Sequence, residues 1–292
     1  MYADVSKTMK LLHFIPVVLV YVLILFIAFS FTFCYAIDTL FISDINIQLR
    51  LLLSFIFYFC FIMCLISYSL CVFTDPGGVP ENWEQNNEAP RQDLFCRKCK
   101  RMRPERTHHC STCNRCILKM DHHCPWIGNC IGFNNQKYFI QFLFYGVLGT
   151  LISSLSLVSK AEKIKIFLVR DSENIITSED QTDDMSNFQA LIFLMGLIVS
   201  IAVCLAQSII LSLQLYFVFN NITAIENKIC SNNNKNVFSF DSKWFNFRIV
   251  FGGKFWTWFL PVFSSNKYNA GLSYVKAEDL RSNKLSLTNL SY

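Results

Sequence analysis

The stretch CRKCKRMRPERTHHCSTCNRCILKMDHHCPWIGNC, from Cys96 to Cys130, decides how this chain is organised. It contains seven of the 13 cysteines and four of the five histidines in a sequence of 292 residues. C-x-x-C pairs interleaved with histidines are typical of structural zinc sites, in which four Cys and His side chains bind each ion. The stretch therefore predicts a small zinc-binding domain.

The stretch holds more candidate ligands than two zinc sites need. Two closed sites of four ligands use eight side chains and leave three for another role. The three cysteines of CSTCNRC, at residues 110–116, are evenly spaced and can pair in more than one way. Adjacent residues rarely face one metal, which favours interleaved sites, but spacing alone leaves the partition open. The candidates are Cys96, Cys99, His108, His109, Cys110, Cys113, Cys116, His122, His123, Cys124 and Cys130.

Long apolar runs lie on both sides of this stretch. The composition is 53% hydrophobic, with a mean hydropathy of +0.35, and the apolar residues come in blocks. Each block reaches the roughly 20 residues that a helix needs to cross a bilayer. We therefore predict an all-α integral membrane protein with its cysteine-rich domain in the loop 74–137, between the second and third spans. The four predicted transmembrane helices are residues 11–35, 49–73, 138–159 and 191–219.

The distribution of Lys and Arg predicts the orientation of these helices. Residues 1–10 carry two such side chains, the loop 74–137 carries ten and the tail 220–292 carries nine. The other side has five, namely Arg50 and four in the acidic loop 160–190. The positive-inside rule places both termini and the cysteine-rich domain in the cytosol, and the loop 160–190 in the lumen or outside the cell. A reducing cytosol also suits zinc thiolates.

The tail contains an aromatic and basic segment at residues 237–263, with the sequence VFSFDSKWFNFRIVFGGKFWTWFLPVF. Gly252, Gly253 and Pro261 interrupt it, so it is not expected to form a fifth span. Trp and Phe mixed with Lys and Arg are typical of the membrane interface. We expect short helices or loops that lie at the membrane surface.

The pattern C-x2-C-x3-RP-x-R-x2-HC-x2-C-x2-C-x4-DHHC-x-W-x2-NC-x-G-x2-N-x3-F runs without a gap through residues 96–139. It resembles the cysteine-rich domain of the DHHC family of protein S-acyltransferases, or palmitoyltransferases. The resemblance covers nearly the whole chain except its termini and the loop 160–190. The family's DPG motif is similar to Asp75-Pro76-Gly77, and its aromatic/Asn motif to Asn246-x4-Phe251-Gly252. Thr223-Ala224-Ile225-Glu226 is similar to its TTxE motif, with Ala224 in place of the second threonine.

The resemblance implies a role for ten of the candidate ligands and for one acidic residue. It implies that Cys124 is a nucleophile, that His122 is its base and that Asp121 orients the histidine. His108 receives no role. It also implies two structural zinc ions, one bound by Cys96, Cys99, His109 and Cys116, and the other by Cys110, Cys113, His123 and Cys130.

The residue types agree with these roles. A thiol is a good nucleophile only as a thiolate, and a neighbouring histidine can take its proton. A carboxylate that fixes the tautomer of the histidine follows the logic of a catalytic triad. The alternatives are that Cys124 is a zinc ligand or an inert buried thiol and that His122 is a surface histidine. The Lys and Arg of the domain are expected to attract anionic lipid or to bind the phosphates of coenzyme A.

The resemblance implies a protein S-acyltransferase with acyl-CoA as co-substrate. A palmitoyl group would pass from palmitoyl-CoA to Cys124, and then to cysteines of membrane-associated proteins that face the cytosol, in a ping-pong reaction. Golgi or ER membranes, or the plasma membrane, are the expected location, with lipid and no nucleic acid as a partner. The alternatives are a catalytically inactive, membrane-anchored zinc module for interactions, which the departure at Ala224 leaves open, and a zinc hydrolase with a metal-bound water.

Overall fold

The computed structural model describes residues 2–37, 47–83, 92–172, 187–233, 237–262 and 271–276. The helices are α1 (Tyr2–Phe31, continued by a π-helical turn at Thr32–Ala36), α2 (Ile47–Phe73), α3 (Gln136–Ser172), α4 (Asn187–Phe219), α5 (Ala224–Asn233) and α6 (Lys243–Phe251). Short 3-10 turns occupy Gln92–Leu94 and Phe255–Trp258. The strands are β1 (Phe95–Cys96), β2 (Arg101–Met102), β3 (His108–Cys110), β4 (Arg115–Ile117), β5 (His122–Cys124) and β6 (Asn129–Ile131).

Four helices are long and apolar enough to cross a membrane. The candidate spans are Phe14–Ala36, Ile47–Phe73, Gln136–Ser159 and Phe188–Phe219. The cysteine-rich stretch lies between the second and the third, which confirms the predicted fold class of a mostly helical, multi-pass membrane protein. The described strands have only two or three residues each and pair as three antiparallel hairpins.

Helix α3 continues past residue 159, where the predicted third span ends. Residues 160–170, KAEKIKIFLVR, contain no Pro or Gly and are rich in good helix formers, so a helix can continue beyond the apolar run. Within the predicted acidic loop, residues 173–186 lie outside the described residues. The predicted surface segment contains α6 and the turn Phe255–Trp258, and the last residues of the tail, 277–292, also lie outside the described part.

The chain divides into two compact units, and each long helix contributes residues to both. Unit 2 comprises Leu19–Leu65 and Leu143–Ile210. The rings of Phe31 and Phe57 stack in its core with centroids 3.8 Å apart. The hydroxyls of Ser153 and Ser200, 3.1 Å apart, form a hydrogen bond between α3 and α4. This unit is a packed helix bundle.

Unit 1 comprises Met1–Val18, Ile66–Phe142 and Leu211–Tyr292, and it contains the cysteine-rich hairpins. Asn129 and Asn135 attach these hairpins to the end of α2. The Nδ2 of Asn129 donates to the carbonyls of Val72 and Thr74 at 3.2 and 2.9 Å. The last carbonyls of a helix have no partner within the helix, so these amides satisfy groups that would otherwise be unpaired. Asn135 is fully buried, and its Nδ2 donates to the carbonyls of Cys71 in α2 and Cys130 in β6 at 3.3 and 2.8 Å.

The Asp75-Pro76-Gly77 segment is part of the same attachment. The carboxylate of Asp75 accepts a hydrogen bond from the Gly77 N–H at 2.8 Å, which closes a tight turn. Gly77 has a φ of +108°, which favours glycine. A Cβ atom on Gly132 would lie only 2.7 Å from the carbonyl oxygen of Pro76, so only glycine fits where the two segments cross.

Asn246 attaches the aromatic segment at residues 237–263 to the end of α4. Its side chain is fully buried, and its Nδ2 donates to the carbonyls of Phe219 and Phe240 at 2.8 and 3.0 Å. Gln141 of α3 in turn donates to the carbonyls of Trp258 and Leu260 at 2.9 and 2.8 Å. Two buried amides therefore hold the aromatic segment against α3 and α4 within unit 1.

Candidate active site and metal-binding groups

Strand β5 separates two sets of side chains by simple alternation. Successive side chains of a strand point to opposite faces, so His122 and Cys124 share one face and His123 points to the other. His123 is paired across the hairpin with Cys130. In the sequence His-His-Cys, His123 therefore lies on the face of Cys130, whereas His122 lies on the same face as Cys124.

The same alternation in β3 separates the two metal-binding groups. His109 is paired across its hairpin with Cys116, while Cys110, the next residue, points to the opposite face. A C-x-x-C turn lies before β3 and another lies after it. In each turn the N–H of the second cysteine donates to the sulfur of the first at 3.4 Å, from Cys99 to Cys96 and from Cys113 to Cys110. The interleaving of ligands that the sequence favoured follows from this alternation.

Two groups of four Cys and His side chains could each hold a metal ion, and their ligand atoms lie within 4.8 Å of one another. These are the only groups of at least three such ligands found in the described part of the chain. They bring together the eight residues that the resemblance implied, in the same two sets. The first group is Cys96, Cys99, His109 and Cys116, and the second is Cys110, Cys113, His123 and Cys130.

The distances in both groups fit zinc. Tetrahedral Zn²⁺ with the usual bond lengths separates two sulfurs by about 3.8 Å, and a sulfur from a nitrogen by about 3.6 Å. The Nδ1 of His123 lies 3.7, 3.5 and 3.5 Å from the sulfurs of Cys110, Cys113 and Cys130. In the first group the Nδ1 of His109 lies 3.7 and 3.2 Å from the sulfurs of Cys96 and Cys99, and the sulfurs of Cys99 and Cys116 are 3.7 Å apart. Three thiolates and one imidazole form a closed structural set with no open position.

Cys124 is not a member of either group. Its side chain is 7% exposed, and the imidazole of His122 is within hydrogen-bonding reach of it. The Nδ1 of His122 lies 2.7 Å from the Oδ2 of Asp121. An Nδ1–H that donates to the carboxylate leaves Nε2 as the nitrogen that can accept a proton. The structure therefore brings Asp121, His122 and Cys124 together in the order that a carboxylate–histidine–thiol arrangement requires.

The carboxylate of Asp121 is almost completely buried, at 1% exposure, and it accepts hydrogen bonds from three elements. His122 donates to Oδ2 from β5, and the Nε2 of Gln214 donates to the same oxygen from α4 at 3.0 Å. The backbone N–H of Ala224 donates to Oδ1 at 2.6 Å from the first turn of α5. A buried charge needs this degree of satisfaction to remain ionised.

The TTxE-like segment makes the start of α5 a capping box. The N–H of Glu226 donates to the Thr223 hydroxyl at 3.2 Å, and the N–H of Thr223 donates to the Glu226 carboxylate at 2.9 Å. Because it is the backbone of Ala224 that binds Asp121, a threonine side chain is not required for this contact. The departure at Ala224 leaves the hydrogen bond to Asp121 in place.

Arg106 holds this segment against the cysteine-rich domain. Its guanidinium forms a bidentate pair with the Glu226 carboxylate, with both N···O distances at 2.7 Å. It lies between the rings of Phe238 and Tyr274, with centroids 4.7 and 5.0 Å away. It also donates to the side-chain oxygen of Asn221 at 3.1 Å. Charge pairing and cation–π contacts thus connect the domain to the C-terminal segment.

The environment sets the charges at this site. Burial alone would lower the pKa of His122, but the hydrogen bond with Asp121, together with Cys124, raises it to about 9. Burial opposes ionisation of Asp121, yet hydrogen bonds from His122, Ala224 and Gln214 keep the pKa of this carboxyl below its ordinary value. A negative Asp121 beside a readily protonated His122 favours proton removal from Cys124.

Sequence reasoning missed two donors to Asp121. Gln214 and the N–H of Ala224 reach Asp121 from 93 and 103 residues away. Lys119 is buried near Asp121 and Glu226, and burial, followed by the charge of Arg106, lowers its pKa to about 7. A polar residue within an apolar run was the available signal for Gln214. For His108, burial and then Arg103 lower the pKa to about 4, so it is neutral at neutral pH and belongs to neither metal group.

Comparison with known proteins gives consistent matches. The sequence profile of the family described as DHHC palmitoyltransferase matches residues 89–241. The chain is 30% identical over 176 residues to probable protein S-acyltransferase 16 of Arabidopsis thaliana, covering 56% of this chain and 57% of the relative. It is 32% identical over 226 residues to probable protein S-acyltransferase 13 of the same plant, covering 70% of each. It is 34% identical over 233 residues to a putative ZDHHC-type palmitoyltransferase 2 of Dictyostelium discoideum, covering 73% of this chain and 50% of the relative.

The chain thus spans from half to about two thirds of the length of these relatives. The matched residues 89–241 make up more than half of the chain and include both metal-binding groups, Cys124 and the segment that begins α5. On this evidence the chain belongs to the DHHC palmitoyltransferase family.

Proposed function

We propose that this protein is a protein S-acyltransferase that moves a long-chain acyl group from acyl-CoA to cysteine thiols of other proteins through an acyl-enzyme on Cys124. The observation that carries the proposal is that His122 and Cys124 lie on the face of β5 that points away from the metal-binding side chain of His123, with Asp121 hydrogen-bonded to His122. This arrangement leaves a histidine-paired thiol outside both metal groups. The names of the relatives support the same reaction class.

The reaction follows from the protonation states of these side chains. His122 accepts the proton of the Cys124 thiol, and Asp121 stabilises the resulting imidazolium. The Cys124 thiolate attacks the carbonyl carbon of the thioester, so a bond to Cys124 sulfur forms while the bond to the sulfur of coenzyme A breaks. The His122 imidazolium gives its proton to the departing sulfur of coenzyme A, which leaves as a thiol, and His122 is neutral again. A substrate thiol then gives its proton to His122 and attacks the acyl-enzyme, which restores Cys124 and yields the new thioester.

Both metal-binding groups would hold structural zinc. Zinc bound there would supply the folding energy of hairpins too short to form a core of their own. His123, as a ligand between His122 and Cys124, would fix the strand on which both are carried. Because each group already has four protein ligands, the arrangement argues against a hydrolase with metal-bound water, which needs an open position.

The hydrocarbon part of the substrate needs an apolar compartment, and unit 2 supplies one. An apolar cavity lies among its four helices, lined mainly by side chains such as Leu23, Ile27, Phe57 and Phe61. We infer that the acyl chain occupies this cavity.

The excess of Lys and Arg on one side supports a cytosolic location for both termini and for the cysteine-rich domain. Exposed Trp244, Phe255 and Trp256, together with exposed Arg248 and Lys254, support a membrane-surface position for the aromatic segment. Acyl-CoA and substrate cysteines would then reach Cys124 from the cytosol. Golgi or ER membranes, or the plasma membrane, are the proposed location.

The proposal is tested by incubating the purified protein with labelled palmitoyl-CoA. We expect hydroxylamine-sensitive label on the protein, with the label lost in Cys124→Ser and retained in Cys204→Ser, which removes a thiol outside the metal groups. Label that persists in Cys124→Ser would assign the acyl group to another residue. A zinc-loaded, folded wild type that takes no label would support the alternative of an inactive zinc module.

A further inference from the structure

We infer that Gln214 is a positioning residue for the acyl transfer, acting through Asp121 on His122. This inference rests on the proposed function and adds a residue of the membrane helix α4 to it. The observation behind it is the hydrogen bond of 3.0 Å from the Nε2 of Gln214 to the Oδ2 of Asp121. This is the same oxygen that lies 2.7 Å from the Nδ1 of His122.

The donors to the two oxygens of Asp121 together determine the orientation of its carboxylate. The N–H of Ala224 holds Oδ1 at 2.6 Å, but a carboxylate held at one oxygen can still turn about the bond to its Cβ. The Gln214 donor approaches Oδ2 from α4 and fixes the plane of the carboxylate. Because the imidazole of His122 follows that oxygen, Gln214 determines the direction in which His122 presents its other nitrogen to Cys124.

The environment of Gln214 argues that its amide is not there for stability. The residue lies in an apolar helix and is 4% exposed. Its Oε1 is buried and has no hydrogen-bond partner among the described residues. A leucine or methionine at this position would fill similar space without an unsatisfied carbonyl oxygen, which is costly in an apolar interior. A local rule broken in this way is typical of a functional position. Among the described residues, the only hydrogen-bond partner of this amide is Asp121.

The hydrogen bonds to the carboxylate of Asp121 depend on three separate elements of the fold. The three donors come from β5, α4 and α5, so the carboxylate is fixed only when all three elements are in place. Asp121 is itself attached through its backbone N–H, which donates to the carbonyl of Ile131 at 2.9 Å. The histidine is therefore oriented by a residue that the membrane helices hold, and not by the metal-binding hairpins alone.

The test compares Gln214→Met with the wild type in single-turnover acylation of Cys124 by palmitoyl-CoA. Methionine has a similar length and no N–H donor. We expect the rate at saturating palmitoyl-CoA to fall on the order of 10-fold or more, with an unchanged concentration for half-saturation. Gln214→His restores an N–H donor and is expected to recover most of the lost rate. Gln189→Met makes the same chemical change in the same helix, about seven turns away, and should behave as the wild type does.

A double-mutant cycle separates positioning from a general structural effect. In the background of His122→Ala, adding Gln214→Met should cause no further loss of rate, because its effect passes through His122. Zinc content and the thermal midpoint are measured for each variant, and Gln214→Leu replaces Gln214→Met if the latter loses zinc.

Equal rates for the wild type and the apolar variants would overturn the inference, as would a full additional loss in the His122→Ala background. A change in the palmitoyl-CoA concentration for half-saturation, with no change in the rate at saturation, would also contradict the inference. A wild type that takes no label would instead count against the proposed function, so the two failures are distinguishable.

Discussion

The proposed chemistry depends on the protonation of one thiol, that of Cys124, and one imidazole, that of His122. The resemblance to a known family predicted the roles of Cys124 and His122 from their positions in the chain alone. The alternation of side chains along β5 gives the physical reason for the DHHC order, because His123 and the pair His122 and Cys124 face opposite ways. What the sequence could not provide was the set of donors on Asp121, since two of the three lie more than 90 residues away.

The raised pKa of His122, about 9, leads to a prediction about pH. The imidazolium is retained up to that pH, and its positive charge lies beside the Cys124 sulfur, where it stabilises negative charge on that sulfur in the reaction. The rate of Cys124 acylation in the wild type should therefore change little between pH 7 and about 9.

In His122→Ala this stabilisation is absent, and the rate should rise by about tenfold per pH unit until the ordinary range of a free cysteine is reached. The prediction is checked by measuring the initial rate of labelling by palmitoyl-CoA for both proteins across this pH range. Parallel profiles for the two proteins would show that His122 does not control the ionisation of the thiol.

At the scale of elements, the start of α5 connects the tail of the chain to the carboxylate of Asp121. The Thr-x-x-Glu spacing at residues 223–226 is recognisable in the sequence as a capping box. Its second use was not predictable, because the sequence does not show that the first N–H of the helix would meet Asp121. The structure also answers the question that Ala224 raised, since the contact is made by backbone and not by a side chain.

A proline at position 224 tests the role of this N–H. Ala224 is the first residue of α5, a position where proline is well tolerated because it has no helical hydrogen bond to lose. Ala224→Pro should leave zinc content and thermal midpoint close to those of the wild type. Its acylation rate should fall about tenfold or more, because Asp121 loses its only described donor on Oδ1.

Ala224→Thr keeps the N–H and is the matched control, with a rate close to that of the wild type. Equal activity of Ala224→Pro and Ala224→Thr would mean that this hydrogen bond does not contribute to the reaction.

At the scale of the whole molecule, the sequence predicted four apolar helices with a metal-binding domain between the second and third, and the structure confirms this architecture. Hydrophobic blocks and ligand spacing are strong local signals, which explains the success. Helix α3 is longer than the span predicted within it and continues through polar residues to Ser172. The orientation of the molecule in the membrane remains a prediction from its charges.

Zinc removal gives a prediction at this scale. Because both metal groups are closed sets of four ligands, chelation should unfold the cysteine-rich domain and abolish acylation together, with two zinc ions released per chain. Substitution of a single ligand, as in His123→Ala, should have the same effect on folding, whereas Cys124→Ser should retain both ions. Atomic absorption, circular dichroism and acylation rate are followed in one chelator titration. Activity lost while the fold and both ions remain would point to a catalytic metal.

The central claim is that the acyl group passes through Cys124, and a chase experiment tests it most directly. The protein is acylated with labelled palmitoyl-CoA, freed of all acyl-CoA, and mixed with a membrane-anchored peptide that contains one cysteine. The account predicts that label leaves Cys124 and appears on the peptide cysteine in equal amount, as a hydroxylamine-sensitive thioester. A Cys124-bound label that stays in place while the peptide is acylated only on renewed addition of palmitoyl-CoA would contradict it.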